Sequence, residues 1–259
     1  MPTWDSSQYL RFADERTRPC QDLVNRISLN APKRIIDLGC GPGNSTAVLA
    51  GRWPEAEIVG IDSSPEMIER APKDTGVTFA LGNANDFDAT GVDVLLSNAL
   101  LQWVPEHEML LERWARQINP DGWLAFQVPD NFEEPSHALM RELADSHAWR
   151  DKLGGVLRSA LSVSLPAAYL ELLAGNGLEV DAWQTQYLHV LEGPDPVLEW
   201  VRGTSLRPVL ATLSKNDAAT FEIEYAKRLR SAYPSHDFGT VYPFRRTFVV
   251  AHRPSSSDT

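Results

Sequence analysis

The chain has 259 residues, of which 43% are hydrophobic and 23% charged, a balance that excludes disordered, collagen-like and fibrous classes. Thirty-five acids against 24 lysines and arginines give a formal charge of −11, which opposes nonspecific attraction to nucleic acid or anionic lipid. The two cysteines, Cys20 and Cys40, form no CxxC pair and no Cys/His cluster at zinc spacing, which excludes a disulfide scaffold and a zinc site and suits a reducing, cytoplasmic setting.

The N-terminal stretch is polar from Asp5 onward and lacks the apolar core of a secretory signal, so export is not expected. Within it Trp4, Tyr9 and Phe12 alternate with Arg11, Arg16 and Arg18. Rings that exclude water beside guanidinium groups that grip carboxylates make about 1–20 a lid over an anionic ligand. Short apolar runs at 34–38, 57–61, 77–81 and 92–97 read as strands, with helices at 44–53 and 64–71 between them. The most apolar stretch, 94–104, is about half of the roughly 20 residues that a membrane span needs.

A helix at 107–118, the turn Asn119-Pro120-Asp121-Gly122 and a strand at 123–128 complete the regular alternation, which predicts an α/β fold with a parallel sheet covered on both faces. The core then spans about 30–134, with further strands at about 178–191 and 246–251. Helix-rich text at about 135–166 and 194–240 reads as insertions that cap the sheet, all within one domain of 1–259. The six histidines show no HxH or HExxH spacing, so no metal is expected.

Chemistry concentrates in Ile35 to Asn44, a glycine-rich turn between the first strand and a helix. Glycines let a backbone approach a ligand, and a helix N-terminus favours its polar or anionic groups. Asp62 ends the second strand, 21 residues beyond Gly41, where a carboxylate can accept both hydroxyl protons of a ribose. A dinucleotide site asks for G-x-G-x-x-G/A, and Asn44 stands at its third position, which disfavours a nicotinamide oxidoreductase. Cys40 has no neighbouring His to activate it as a nucleophile and reads as a small turn residue.

The run D-x-G-x-G-x-G from Asp37 to Gly43 resembles the first motif of class I S-adenosylmethionine-dependent methyltransferases. That resemblance implies a Rossmann-like, doubly wound, mostly parallel seven-stranded sheet with an antiparallel edge strand and a helical cap. It also implies a cofactor site made of Asp37, Gly39, Cys40, Gly41, Asn44, Asp62, Ser63, Met67, Asn83, Ala84 and Asn98. Asp37 is expected near the methionyl ammonium and Asp62 on the ribose. Asn83 stands where the family commonly has an Asp near the adenine amino group, a change of charge that keeps an acceptor. Asn98 and Ala99-Leu100-Leu101-Gln102-Trp103 fall where such enzymes meet methyl group and acceptor.

The opening W-D-S-S-Q-Y-L, then RWPEAEIVGIDSSPEMI, SNALLQWVPEH and QVPDN, with Leu206-Arg207-Pro208 and Tyr233-Pro234 later, resemble the branch of that family that forms the monomethyl ester of trans-aconitate. The implied acceptor is a small-molecule tricarboxylate, with no nucleic acid, membrane or obligate protein partner. A carboxylate is ionised near neutral pH, so no general base is expected. Arg207, with Arg18 and Arg245, is the expected cationic clamp, and Tyr9, Trp103, Gln102 and His137 are expected to position the acid. The competing readings are a methyltransferase for another small acid or hydroxyl, which would keep the cofactor residues and change the cap, and a noncatalytic cofactor-binding protein. A nucleic-acid methyltransferase would need a basic face, which the charge opposes.

Overall fold

The computed structural model of the protein describes residues 13–73, 76–157 and 163–255. The chain divides into two compact units. The first contains Asp14–Pro129, Val163–Thr185 and the chain from Arg246 onward; the second contains the segment that starts at Asp130 and Gln186–Arg245.

In the first unit, helix α1 (Ala13–Val24) precedes strand β1 (Arg34–Leu38), whose last four residues are all buried. A strand with no exposed face is what a parallel sheet covered on both sides requires. Helix α2 (Asn44–Arg52), β2 (Glu57–Asp62), α3 (Pro65–Arg70), β3 (Thr78–Leu81), β4 (Val94–Asn98), α4 (His107–Gln117) and β5 (Trp123–Pro129) follow in alternation. Ser64 starts α3 by accepting a hydrogen bond from Met67 N at 3.4 Å, with Pro65 at the first helical position. Helix α7 (Pro166–Gly175) then leads into β6 (Glu179–Leu191), and β8 (Gly239–His252) ends the fold.

The strand order is β3-β2-β1-β4-β5-β8-β6. Neighbours from β3 to β5 are parallel, and β8 runs antiparallel to β5, with Gln127 opposite Phe248 and Pro129 opposite Arg246. The expected α/β, doubly wound, mostly parallel sheet is therefore present. The antiparallel strand expected toward one edge is β8, with β6 outside it.

The second unit is mainly helical: α5 (Pro135–Ala144), α6 (Arg150–Leu153), α8 (Pro196–Arg202), α9 (Arg207–Thr212) and α10 (Lys215–Ala232), with the two-residue β7 (Ser235–His236) paired to β8. Its core is aromatic, built around Trp149, Trp200, Phe221, Tyr225 and Tyr242. Trp149 meets Phe221 edge-on at 5.3 Å and Trp200 meets Tyr242 at 5.7 Å, the geometry that the ring quadrupoles favour. Three tyrosines secure the start of α5. Tyr233 Oη accepts from Ser136 N at 2.9 Å, Tyr225 Oη donates to the Ser136 carbonyl, and Tyr242 Oη lies 3.1 Å from Ser136 Oγ.

Three boundaries differ from the sequence expectation. The last strand starts at Gly239, seven positions before the predicted 246, because 239–245 pair and alternate in burial. The second unit thus includes the ends of β6 and β8 beside its helices. Residues 166–175, of which only Pro166 falls within the expected first insertion, form α7 in the sheet-bearing unit, where Tyr169 is fully buried against Phe126 and His107. Of the expected N-terminal lid, residues 1–12 lie outside the described residues, whereas Pro19 and Cys20 are buried in α1.

Candidate functional site

The C-terminal ends of β1, β2 and β4 carry the side chains that the motif singles out, at the point where strand order reverses between β1 and β4. Ligands of open α/β sheets bind at such switch points. After Leu38 the backbone turns through three residues of positive φ: Gly39 at 79°, Gly41 at 54° and Gly43 at 97°. A Cβ on Gly39 would stand 2.7 Å from Leu100 Cβ, so a side chain there is blocked by sterics as well as by backbone conformation. A Cβ on Gly41 would meet nothing within 4 Å, so the loop is open beside this residue.

Asp37 lies at the base of this loop and is completely buried. Its Oδ2 accepts hydrogen bonds from Ser45 Oγ and Thr46 Oγ1, each at 2.6 Å, both from the first turn of α2. Its Oδ1 is buried without a hydrogen-bond partner. Burial raises the Asp37 carboxyl to about 6; the Ser45 and Thr46 hydrogen bonds pull it down and the Asp62 charge adds to the rise. An unpaired buried carboxylate oxygen beneath a glycine loop fits a ligand ammonium, the group that the methionyl end of S-adenosylmethionine carries.

Asp62 is half-buried at the end of β2 and organises the loop. Oδ2 accepts from Gly41 N at 2.9 Å and Oδ1 from Ser64 N at 2.8 Å. Each oxygen retains a lone pair for a ribose hydroxyl. Cys40 is buried, and burial, aided by the Asp37 and Asp62 charges, pushes its thiol up and keeps it protonated. It fills space beneath the loop, since a Cβ on Gly60 would stand 3.1 Å from its Sγ. Asn44 opens α2, Met67 is buried on α3, and Ser63 is exposed between Asp62 and the Ser64 cap.

Asn83 is exposed, and its Oδ1 caps the short 3-10 turn at Ala84–Asp86 by accepting from Asn85 N at 3.0 Å. Arg113 of α4 holds that turn, donating to the Asn85 carbonyl at 2.8 Å and the Phe87 carbonyl at 3.1 Å. At the end of β4, Asn98 Oδ1 accepts from Gln127 Nε2 at 2.7 Å. Ala99 follows at φ 60°, and Gln102 Nε2 donates to its carbonyl at 2.6 Å. This places Asn98, Gln102 and Trp103 on one short stretch, with Gln102 buried and Trp103 half-buried.

The expected substrate residues divide between the units. Arg18 is on α1 in the first unit, 73% exposed, 3.9 Å from Asp22. Arg207, Arg245 and His137 belong to the second. His137 lines a pocket with Phe132, Met140, Arg141, Ser205 and Pro208, next in chain to the half-buried Arg207. Arg245 already has ties of its own: its guanidinium is 3.4 Å from Asp130 and 3.8 Å from Glu134, and its N–H donates to Asn131 Oδ1 at 2.6 Å. Tyr9 lies outside the described residues. Among the described residues no cluster of three His, Cys, Asp or Glu could hold a metal ion.

Sequence reasoning missed Ser45, Thr46, Arg113 and Gln127. The first two were in view, as hydroxyls in the opening turn of a helix that follows an acid by eight and nine positions. Arg113 acts from a helix on a loop and Gln127 across strands, and neither had a local signal.

Residues 12–183 match a family model described as a methyltransferase domain. The chain is 52% identical to trans-aconitate 2-methyltransferase of Streptomyces avermitilis, over 98% of each chain. It is 47% identical to the enzyme of that name from Rhodococcus jostii, over 96% of this chain and 98% of the relative. Among solved structures, Haemonchus contortus phosphoethanolamine N-methyltransferase 2, in complex with S-adenosylhomocysteine, superposes with a TM-score of 0.55 at 17% identity, over 92% of this chain and 53% of that one. The YcgJ protein of Bacillus subtilis superposes with a TM-score of 0.58 at 14% identity, over 92% and 100% of the two chains. At such identities the structural likeness speaks for the fold.

Proposed function

The chain belongs to the trans-aconitate 2-methyltransferase family, and from that premise we propose how its own residues serve methyl transfer to a carboxylate of trans-aconitate. The cofactor is S-adenosylmethionine, which supplies, when bound, an electrophilic methyl group on a sulfonium and leaves as S-adenosylhomocysteine. Asp37 Oδ1 holds the ammonium of the methionyl group, Asp62 accepts from the ribose hydroxyls, and the open backbone at Gly41 lets the ligand lie against the loop. Of these, the unpartnered, fully buried Asp37 oxygen is the observation that carries the reading.

The acceptor oxygen is already an anion near neutral pH and needs no proton removed. This agrees with Cys40 being a protonated, buried thiol. Catalysis then rests on alignment: the residues that grip the acid would aim one of its oxygens at the methyl group that the bound cofactor supplies. Arg207, at the start of α9 and next in chain to Pro208 of the His137 pocket, is the guanidinium we assign to the acid. A cytoplasmic setting completes the reading; Cys20 and Cys40 are both free and buried, and no described helix is long and apolar enough to cross a membrane.

The experiment is incubation of the purified protein with labelled S-adenosylmethionine and a panel of di- and tricarboxylates, followed by identification of the ester. A monomethyl ester of trans-aconitate is expected. Label appearing only in hydroxyl or amine acceptors would overturn the reading.

A further inference from the structure

Three polar side chains lie in line across β4, β5 and β8. Asn98 and Gln127 stand directly opposite each other in the parallel β4–β5 pair, and Arg246 stands opposite Pro129, two residues along β5 from Gln127. The period of two along a strand turns all three to the same face of the sheet. Arg246 is 5% exposed and Gln127 1% exposed, deep enough that a guanidinium here must have a function to offset its desolvation.

Their hydrogen bonds run in one direction. Arg246 Nη1 donates to Gln127 Oε1 at 3.0 Å, and Gln127 Nε2 donates to Asn98 Oδ1 at 2.7 Å. A guanidinium has only donors, so it forces the carbonyl end of Gln127 toward itself and the amide nitrogen toward Asn98. That nitrogen in turn claims the Asn98 carbonyl. The Asn98 Nδ2 is left as the free end of the chain, at the C-terminal end of β4, and it makes no hydrogen bond to any described residue.

We propose that Arg246 and Gln127 are positioning residues that fix the sense of the Asn98 amide, so that Asn98 presents an N–H donor to a carboxylate oxygen of the acceptor acid. The proposal rests on the carboxyl-methylation reading above and deepens it. Each link polarises the next, so the buried positive charge strengthens the terminal donor without placing a cation on the nucleophile. A guanidinium in direct contact with the attacking oxygen would hold its electrons; an amide orients it and leaves it reactive. The neutral Asn98 donor therefore suits a carboxylate acceptor and disfavours a group that brings only an N–H to this point.

The test compares Gln127→Glu with Gln127→Met. Glu keeps the shape and pairs with Arg246, but its other oxygen can only accept, so Asn98 must turn and show its carbonyl to the acid. Met removes the relay and leaves Asn98 free to adopt either sense. We expect kcat/KM for trans-aconitate to fall at least tenfold in Gln127→Glu and by less in Gln127→Met. S-adenosylhomocysteine affinity, measured by calorimetry, should stay within twofold of wild type in both. Packing alone would reverse the order, because Met is the less isosteric change. Should neither variant fold, Asn98→Asp against Asn98→Ala asks the same question, and Asp is expected to be the worse. Equal losses, the reverse order, or loss of cofactor affinity, with the wild type active on acids, would overturn the relay. Inactivity of the wild type toward every carboxylic acid would instead remove the function reading, and with it the acceptor assigned to Asn98.

Discussion

The glycine-loop unit and the mainly helical unit are built on opposite principles. In the first, function sits where the backbone leaves a strand: Asp37, Gly39, Gly41 and Gly43 lie within seven consecutive residues, and Asp62 closes the loop through Gly41 N at 2.9 Å. In the second, order comes from side chains far apart in sequence, such as Tyr225, Tyr233 and Tyr242 converging on Ser136. A site made of backbone turns has a local spelling. A core made of rings has almost none, because any large aromatic of suitable shape satisfies it.

The largest effect is expected where the helical unit's order resides. Phe221 is fully buried and packs edge-on against Trp149 at 5.3 Å. Phe221→Ala should destabilise the protein by about 3–5 kcal/mol, the usual range for removing a core phenyl ring. Chemical denaturation measures it. A loss below about 1 kcal/mol would mean that the helical unit's aromatic core is not its main source of order.

Next comes Asp37, whose folded carboxyl titrates at about 6 against an ordinary 3.8, chiefly because of burial. Between those values the folded chain holds more protons than the unfolded one, so stability of the ligand-free protein falls as pH rises from about 4 to about 6 and is level above. The difference at neutral pH is about 3 kcal/mol at 1.36 kcal/mol per pH unit. An ammonium beside Oδ1 prefers the ionised carboxylate, so S-adenosylhomocysteine affinity should rise as pH rises through 6. Asp37→Asn should abolish both slopes while weakening the ligand. Paired denaturation and calorimetry across pH 5 to 8 would expose a flat wild-type profile, which would mean that Asp37 Oδ1 is solvated in solution.

A smaller loss is expected at Asp62. Asp62→Ala removes charge-assisted acceptors for Gly41 N and Ser64 N as well as for a ribose. With about 1.5–3 kcal/mol for hydrogen bonds to a charged group, S-adenosylmethionine binding should weaken at least tenfold. Unchanged affinity would take Asp62 out of the site. These acids and the glycine turn were legible because each needs one residue type at one place: positive φ at Gly39 and Gly43, an acid at the end of β1, another at the end of β2. The parallel α/β architecture was legible for a similar reason, as buried strands alternating with helices leave few topologies. The Arg246–Gln127–Asn98 line was not, because it is written across three strands and 149 positions of chain. The true start of β8 escaped because Pro243 interrupts 239–245, and a proline within a run argues against a strand.

Arg18 shows where a motif-based expectation and local geometry part, and it should give the smallest effect on stability. The lid reading makes it a clamp on the acid, whereas in α1 it is 73% exposed and lies 3.9 Å from Asp22. An exposed pair of that kind contributes about 0–1 kcal/mol, because water screens both charges and ordering two long side chains offsets the gain. Arg18→Ala should therefore shift unfolding free energy by less than about 0.5 kcal/mol. Stability then cannot mask function, and the Michaelis constant for trans-aconitate becomes a clean readout. A large rise on a protein of wild-type stability would make Arg18 part of the acid site and extend the functional surface onto α1. No change would leave Arg18 outside the acid site and would return the whole burden of charge recognition to Arg207.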